Sequence, residues 1–410
     1  MRIVIAPDKF KGSLSAPDVC LRLEKGLQHA ARGAGISDLD VIRVPVADGG
    51  EGTLDAAIGS GFARRTATVM GPLGQPLRAD FAVRGREAVI EMAAASGLAL
   101  LPAVMQGGGP DSGTATTATS LGTGELIRAA LDLGCRQIIL GVGGSANTDG
   151  GAGVLQGLGA VFLDAGGYEL PGGGAALARL DRIDLSGLDV RLEDARFTLA
   201  SDVDNPLLGA NGAAAIFGPQ KGATPGDVTA LDAALANFVS VLAGEIGVRA
   251  ERAAVAPGAG AAGGVGYIAI AALAAARRPG IDVVLEFTEL EQRLVGADLV
   301  ITGEGSLDEQ SLLGKTPMGV ARAAARAGIP VIAVCGRSTL SPEHLAEAGF
   351  TAVHALTDFE PNVGKCMAEA GPLLEELGEH IGVHLPASAA RTDTKENAHV
   401  RRNHASGHRV

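Results

Sequence analysis

Aromatic residues are scarce in this sequence, at 3% of 410 positions, with two Tyr and no Trp. The interior must therefore be built from Ala, Val, Leu and Ile. Basic charge is also short: the formal net charge is −12, which excludes a general grip on nucleic acid, because that needs a basic surface. The four cysteines (Cys20, Cys135, Cys335, Cys366) are far apart, with no CxxC and no Cys/His cluster, so a structural zinc site is excluded and buried thiols are expected. No uninterrupted run of about 18 apolar residues offers a membrane span. The first residues, MRIVIAPDKF, turn polar too soon for a secretory signal, and the expected home is the cytoplasm.

Glycine, by contrast, is abundant: 60 residues, about twice the usual share. Such usage suits tight strand-to-helix turns and backbone that must approach a ligand closely. With 47% hydrophobic and 20% charged residues, the chain reads as globular, and its length predicts about two domains.

Near the N-terminus, Arg2–Ala6 reads as a buried strand. Ser15 caps a helix with Pro17 and Asp18 in its first turn. Asp40–Val46 reads as a second strand and Thr53–Ser60 as a second helix. The same grammar returns late. Asp298–Thr302, Ile329–Cys335 and Thr351–Leu356 read as strands, and Thr316–Arg326 and Pro342–Ala348 as helices. Strands alternating with helices predict a parallel sheet with right-handed crossovers. The middle has more glycine-rich loops and strand-like runs at Arg86–Met92, Arg136–Val142 and Phe197–Val203. Neither terminal piece has enough strands for its own sheet. The expectation is an α/β protein of two domains, with 1–65 plus 295–386 forming one and 66–294 inserted into it. Residues 387–410 lack apolar periodicity and read as a disordered tail.

Five polar loops stand out, four of them directly after predicted strands, where open α/β sheets bind ligands. Asp8 ends the first strand, and Lys9, Lys11 and Ser13 follow it before a helix N-terminus, a setting for an anion. Asp48 and Glu51 are interleaved with glycines and suit Mg²⁺ or a substrate hydroxyl. Gly141–Gly153 holds Gly143, Gly144, Ser145, Asn147 and Asp149, and its exposed N–H groups suit phosphate. Asp202 and Asn205 offer oxygen ligands for magnesium, with Lys221 further along. The last loop runs Glu304, Ser306, Asp308 to Lys315, which stands just before a helix. Position 309 is Glu where a Walker A loop needs Gly, so that label fails. Carboxylates for metal, lysines and backbone for phosphates, and one acid for a hydroxyl are the inventory of phosphoryl transfer. A dinucleotide fingerprint and a Ser–His pairing are both missing.

Taken in order, these loops resemble the bacterial glycerate kinase family. The resemblance is carried by APDKFKGSLSA (6–16), VPVADGGEGT (44–53), EMAAASGL (91–98), GTGELI (122–127) and GVGGSANTDGGAG (141–153). It continues through DVDNPLLGANGAAAIFGPQKGA (202–223), PGAGAAGGVG (257–266) and DLVITGEGSLDEQSLLGKTPMGVA (298–321). It implies a Rossmann- or flavodoxin-like domain with a second α/β domain inserted, and a site between them. It implies transfer of the γ-phosphoryl group of ATP to D-glycerate with Mg²⁺, in organic-acid catabolism. The expected product is 2-phosphoglycerate, with 3-phosphoglycerate the alternative. Ser306 stands where many members carry a basic residue, and Leu121 where an aromatic residue is frequent. On this reading Lys11 meets the glycerate carboxylate, and Asp8 or Asp48 orients the hydroxyl. Asp202 and Glu304 are candidates for magnesium. The phosphates lie by Gly143, Gly144 and Ser145, near Lys315 or Lys221. The only partners expected are glycerate and ATP, the chain being a monomer or homodimer. A catalytically silent, nucleotide-binding regulator is the other reading kept.

Overall fold

The structure, a computed structural model, describes residues 1–35, 38–312 and 315–385. The tail expected at 387–410 lies outside the described residues. The strands, in chain order, begin with β1 (Arg2–Pro7), β2 (Asp40–Arg43), β3 (Ala63–Met70), β4 (Pro76–Arg84), β5 (Glu87–Glu91) and β6 (Gln137–Gly141). They continue with β7 (Val161–Asp164), β8 (Leu180–Asp184), β9 (Arg196–Ala200), β10 (Ala276–Arg278), β11 (Leu299–Leu307), β12 (Val331–Ser338) and β13 (Ala352–Ala355).

Both ends of the chain build one five-stranded sheet, ordered β13-β12-β11-β1-β2 and parallel throughout. β1 lies inside the sheet between β11 and the edge strand β2, with Ile3 beside Leu299 on one side and Val41 on the other. After Arg2 its run IVIAP is apolar and buried throughout because both faces are covered. Ile3 and Ile5 meet the helices Ala16–Gly33 and Ala370–Val383, while Val4 and Ala6 meet the side holding Thr53–Gly59 and Thr316–Arg326. Ser15 caps the helix Ala16–Gly33 by accepting from Asp18 N, with Pro17 in the first turn. That helix packs closely on Ala370–Val383, where a Cβ on Gly26 would fall 2.8 Å from the Gly378 Cα.

β2 stops at Arg43, short of the expected Val46. Val44 N and Val46 N still donate to Ile5 and Pro7 of β1, but Pro45 between them has no N–H to donate. β11, expected to give way to a loop at Gly303, instead runs on to Leu307. Glu304, Ser306 and Leu307 pair in register with Cys335, Arg337 and Ser338. Gly303 belongs in this strand because a Cβ there would run into Val334 of the neighbour.

The middle of the chain forms a second sheet, ordered β10-β9-β6-β5-β4-β3. The first four run parallel, while β4 and β3 form an antiparallel edge that the sequence reading did not foresee. β7 and β8 make a separate antiparallel pair. One face of the large sheet (Ala88, Ile90, Ile138, Leu140) covers the main core of this lobe. The other face (Ala82, Val89, Ile139, Ala200) shares a cluster with Val46, Ile281 and Val284, joining the lobes through apolar contact. The helix Pro225–Ile246 has the length and composition of a membrane span, but it buries Leu231, Leu235, Phe238 and Leu242 in the lobe core. All four cysteines are free and buried.

Candidate active site

The strand ends of the first sheet carry the polar loops to one edge. There they meet the glycine-rich turn after β6, and together they enclose a cleft of about 640 Å³. That is an ordinary size for a small-molecule site. From the first lobe come Asp8, Lys11, Ser13, Asp48, Glu51, Glu304, Asp308 and Lys315; from the second come Gly143 and Gly144. A smaller cavity of about 340 Å³ lies on the other side of the Lys9–Ser13 loop, between it and Glu51, Asp55 and Glu91.

Glycine makes the meeting of lobes possible. A Cβ on Gly143 would lie 2.6 Å from the Gly50 Cα, and one on Gly49 would lie 2.8 Å from the Gly280 Cα. Gly49 also has φ +86, which other residues adopt at a cost. The turn Asp48–Gly52 thus abuts the second lobe backbone to backbone. It is anchored from below by Glu91 at the end of β5, whose Oε2 accepts from Gly52 N and Leu54 N, both at 3.1 Å.

Carboxylates crowd the centre of the cleft. Asp8 is buried, and burial, reinforced by nearby Asp48, pushes its carboxyl up to about 6 against the opposing pull of Lys9. Its oxygens are held: Oδ2 accepts from Thr316 Oγ1 at 2.8 Å, Oδ1 from Lys9 N at 2.6 Å, and Lys9 Nζ is 3.5 Å from Oδ1. Burial works against the charge on Lys9, but Asp8, Asp48 and Glu51 outweigh it and hold the ammonium above its usual range. Glu304 is pushed up to about 7 by burial, with Lys315 opposing. Its Oε1 is buried without a hydrogen-bond partner. Lys315 occupies the N-cap position of the helix Thr316–Arg326, so lysine and helix terminus reinforce one another toward an anion.

Other residues singled out in the sequence are placed elsewhere. Asn147, Asp149 and Lys221 are buried in the second lobe, outside the cleft. Asp149 accepts from Ser120 N and Oγ, Asn147 Nδ2, Gly151 N and Gly153 N. Asn147 Nδ2 also donates to Ala262 O, where Ala262, Gly263 and Gly264 are consecutive left-handed residues. Lys221 Nζ donates to Asn147 O at 2.5 Å, and burial lowers the lysine to about 7 against the pull of Asp149. Most donors and acceptors of this group are engaged around the turn that follows Gly143 and Gly144, while Asn147 Oδ1 is buried without a partner. Ser145 is buried and pairs with Gly97 as an isolated bridge. Asn205 donates to Asn211 O. Asp202 lies outside the cleft lining, and its Oδ1 accepts from Gly280 N at 2.9 Å. Burial raises its carboxyl, Gly280 N–H opposes, and Asp48 adds to the rise.

Two site residues escaped the sequence reading. Glu91 sits between an apolar strand and an Ala-rich turn, and nothing in that spacing announces that it reaches another loop. Arg337 lines the cleft from β12, and the only signal was its place after Gly336 at a strand end.

The chain matches a sequence model described as the glycerate kinase family over residues 3–385. A glycerate kinase of Bacillus subtilis is 45% identical over 388 residues, covering 94% of this chain and 98% of that protein. The glycerate 2-kinase of Escherichia coli is 45% identical over 359 residues, 87% of this chain and 90% of that protein. A crystal structure from Salmonella typhimurium LT2, named after glycerate kinase 2, matches with a TM-score of 0.77 at 41% identity, covering 93% of this chain and 97% of that one.

Proposed function

This chain belongs to the glycerate kinase family, and from that premise we infer that it transfers the γ-phosphoryl group of ATP to D-glycerate, giving 2-phosphoglycerate. The observation that supports the chemistry best is the cleft itself. A buried carboxylate, Asp8, with Asp48 near it, stands among the cationic side chains Lys9, Lys11 and Lys315, against a glycine backbone. In our reading Lys11 pairs with the glycerate carboxylate, while Lys315 and the backbone of Gly143 and Gly144 receive phosphate. Asp48 holds the attacking hydroxyl and Asp8 accepts its proton. A base whose pKa is raised toward the working pH takes a proton more readily and is still mostly ionised at neutrality. Ser13, Glu51 and Asp308 border the acceptor, and Asn147, Asp149, Ser145, Lys221 and Asn205 shape the loops behind it.

Magnesium suits this site. Among the described residues no three His, Cys, Asp or Glu side chains form a ready metal cluster. Mg²⁺ bound with nucleotide asks for less, one or two carboxylates together with phosphate oxygens and water. Glu304, with its unpartnered buried oxygen in the cleft, would hold it; Asp202, outside the cleft lining and with one oxygen engaged by Gly280 N, is the other candidate. Bound there, the ion would neutralise charge on the phosphate oxygens. We read the enzyme as cytoplasmic, and as a monomer or homodimer.

Phosphorus NMR of the protein with MgATP and D-glycerate tests the reading. A phosphomonoester signal of 2-phosphoglycerate is expected. A 3-phosphoglycerate signal would keep the kinase and reverse the regiochemistry. Intact ATP with glycerate and with other hydroxy acids would overturn the function.

A further inference from the structure

We propose that ATP binds with its adenine ring on the apolar end of the cleft, and that Arg337 grips the polyphosphate as it leaves that end; the proposal rests on the kinase reading above. The two ends of the cleft differ in chemistry. Toward the second lobe it is lined by Gly50, Glu51, Gly143 and Gly144, which offer backbone and charge. At the far end Leu356, Val363, Cys366, Met367 and Ala370 form an apolar shelf. Val363 and Met367 are 44% and 47% exposed, and they stand one turn apart in the helix Val363–Ala368, hence on one face. Leu356, Cys366 and Ala370 beside them are buried, so the two exposed side chains continue a hydrophobic surface. Isolated exposed apolar residues need no explanation, but a patch inside a cleft does.

Glycerate cannot cover this shelf. It has three carbons, each bearing oxygen. A purine ring is flat and apolar on both faces, and the floor beside the shelf is flat as well. Gly305 and Gly336 lie side by side there, where a Cβ on Gly336 would come 2.6 Å from Gly305 O.

Arg337 marks the exit from the shelf. It lies directly across from Ser306 on the neighbouring strand, and its Nε donates to Ser306 Oγ at 3.2 Å. That bond orients the guanidinium, and among the described residues its two terminal nitrogens meet no partner and can turn to a ligand. Among the described residues Arg337 enters no ion pair, whereas Lys9 is already engaged by Asp8. A guanidinium fork matches phosphate oxygens in pairs. Next across the sheet comes Lys315 beyond β11, then Asp8 and Lys11 together beyond β1, and Asp48 beyond β2. Apolar shelf, then Arg337 and Lys315, then the loop of Asp8 and Lys11 with Asp48 is the order base, phosphates, glycerate. Ser13 Oγ donates to Met367 O at 2.8 Å, so the shelf is tied to the loop that carries Lys11.

Photolabelling with 8-azido-ATP, without glycerate, followed by peptide mapping, tests the orientation. The adduct is expected within 356–370, and an adduct within 141–153 or elsewhere in the second lobe would overturn it. Arg337→Gln supplies the second measurement. It should weaken ATP binding, read by calorimetry without glycerate, by roughly tenfold or more, with partial recovery in Arg337→Lys and little change in the KM for glycerate. An unchanged ATP affinity with a raised glycerate KM would refute the role of Arg337. A wild type that phosphorylates glycerate but labels outside 356–370 sinks only this proposal. A wild type that phosphorylates no hydroxy acid sinks the kinase reading beneath it.

Discussion

Glu91→Gln isolates the charge on the carboxylate that anchors the Asp48–Gly52 turn. Glu91 is 8% exposed, and its Oε2 alone accepts from Gly52 N of that turn and from Leu54 N in the helix that follows. A glutamine amide oxygen can keep both bonds, so the substitution removes charge and little else. Burial pushes the Glu91 carboxyl from an ordinary 4.5 up to about 7, against the two N–H bonds and with help from Glu51 and Asp55. The native protein therefore holds this proton more tightly than the unfolded chain does. Its contribution to stability is present at low pH and is lost as pH rises from about 4.5 through about 7. The loss is about 3 kcal/mol, at 1.36 kcal/mol for each tenfold change in proton affinity. Urea unfolding of wild type and variant at pH 4.5 and pH 8 measures it. The advantage of Glu91→Gln should grow by about 3 kcal/mol between the two pH values. If it grows by less than about 1 kcal/mol, burial does not control this carboxylate and the reasoning fails.

Three further outcomes are expected. Asp8→Asn should lower kcat by roughly 100-fold or more, and wild-type kcat/KM should fall as pH drops through about 6, where burial has placed the Asp8 carboxyl and protonation would silence a base; a flat profile from pH 8 to 5 would exclude that role. Lys221→Met should flatten the pH dependence of stability on the alkaline side. Burial lowers Lys221 to about 7, so the native state binds fewer protons than the unfolded state up to about 10.5, and wild-type stability should rise by roughly 3 kcal/mol from pH 7 to 9.5 where the variant's does not. Gly143→Ala should leave the circular dichroism spectrum native while cutting kcat more than about tenfold, because the added methyl meets the Gly50 backbone and forces the two loops apart; normal turnover would show that the loops need not touch.

The frame of the fold was legible wherever local chemistry and tertiary demand agree. The unbroken apolar run of β1, the Ser15 cap with Pro17, and Thr316-Pro317 at a helix start each carry their own signal. The β3–β4 edge was not legible, because Arg64, Arg65 and Thr66 lie on an exposed surface and show no alternation of apolar and polar residues. Gly303–Leu307 was read as a loop because glycine argues against a strand; only the neighbouring strand reveals that glycine is what fits. The site divides in the same way. Asp8 and Asp48 stand just beyond strands, Glu304 lies within β11 and Lys315 at a helix N-cap, and all four reach the cleft. Asn147, Asp149 and Lys221 have the same polar character, yet they face backbone rather than solvent. A sequence records which residues can donate and accept but not which partner they find. Glu91 and Arg337 act across strands, and that adjacency has no trace in linear spacing.

The place of β1 between β2 and β11 also sets an order of events during synthesis. Its partner β2 leaves the ribosome soon after it, but its other neighbour, β11, begins only at Leu299. At roughly 5–20 residues per second, the opening strand waits from about 15 seconds to a minute for that neighbour. All six strands of the large second sheet emerge within the interval, from Ala63 to Arg278. The later-starting lobe can thus finish first, and the N-terminal segment must stay unpaired on one edge until the last third of the chain arrives. Slowing translation before Leu299 lengthens the exposure of that apolar edge, and a shortage of chaperone should be felt there first.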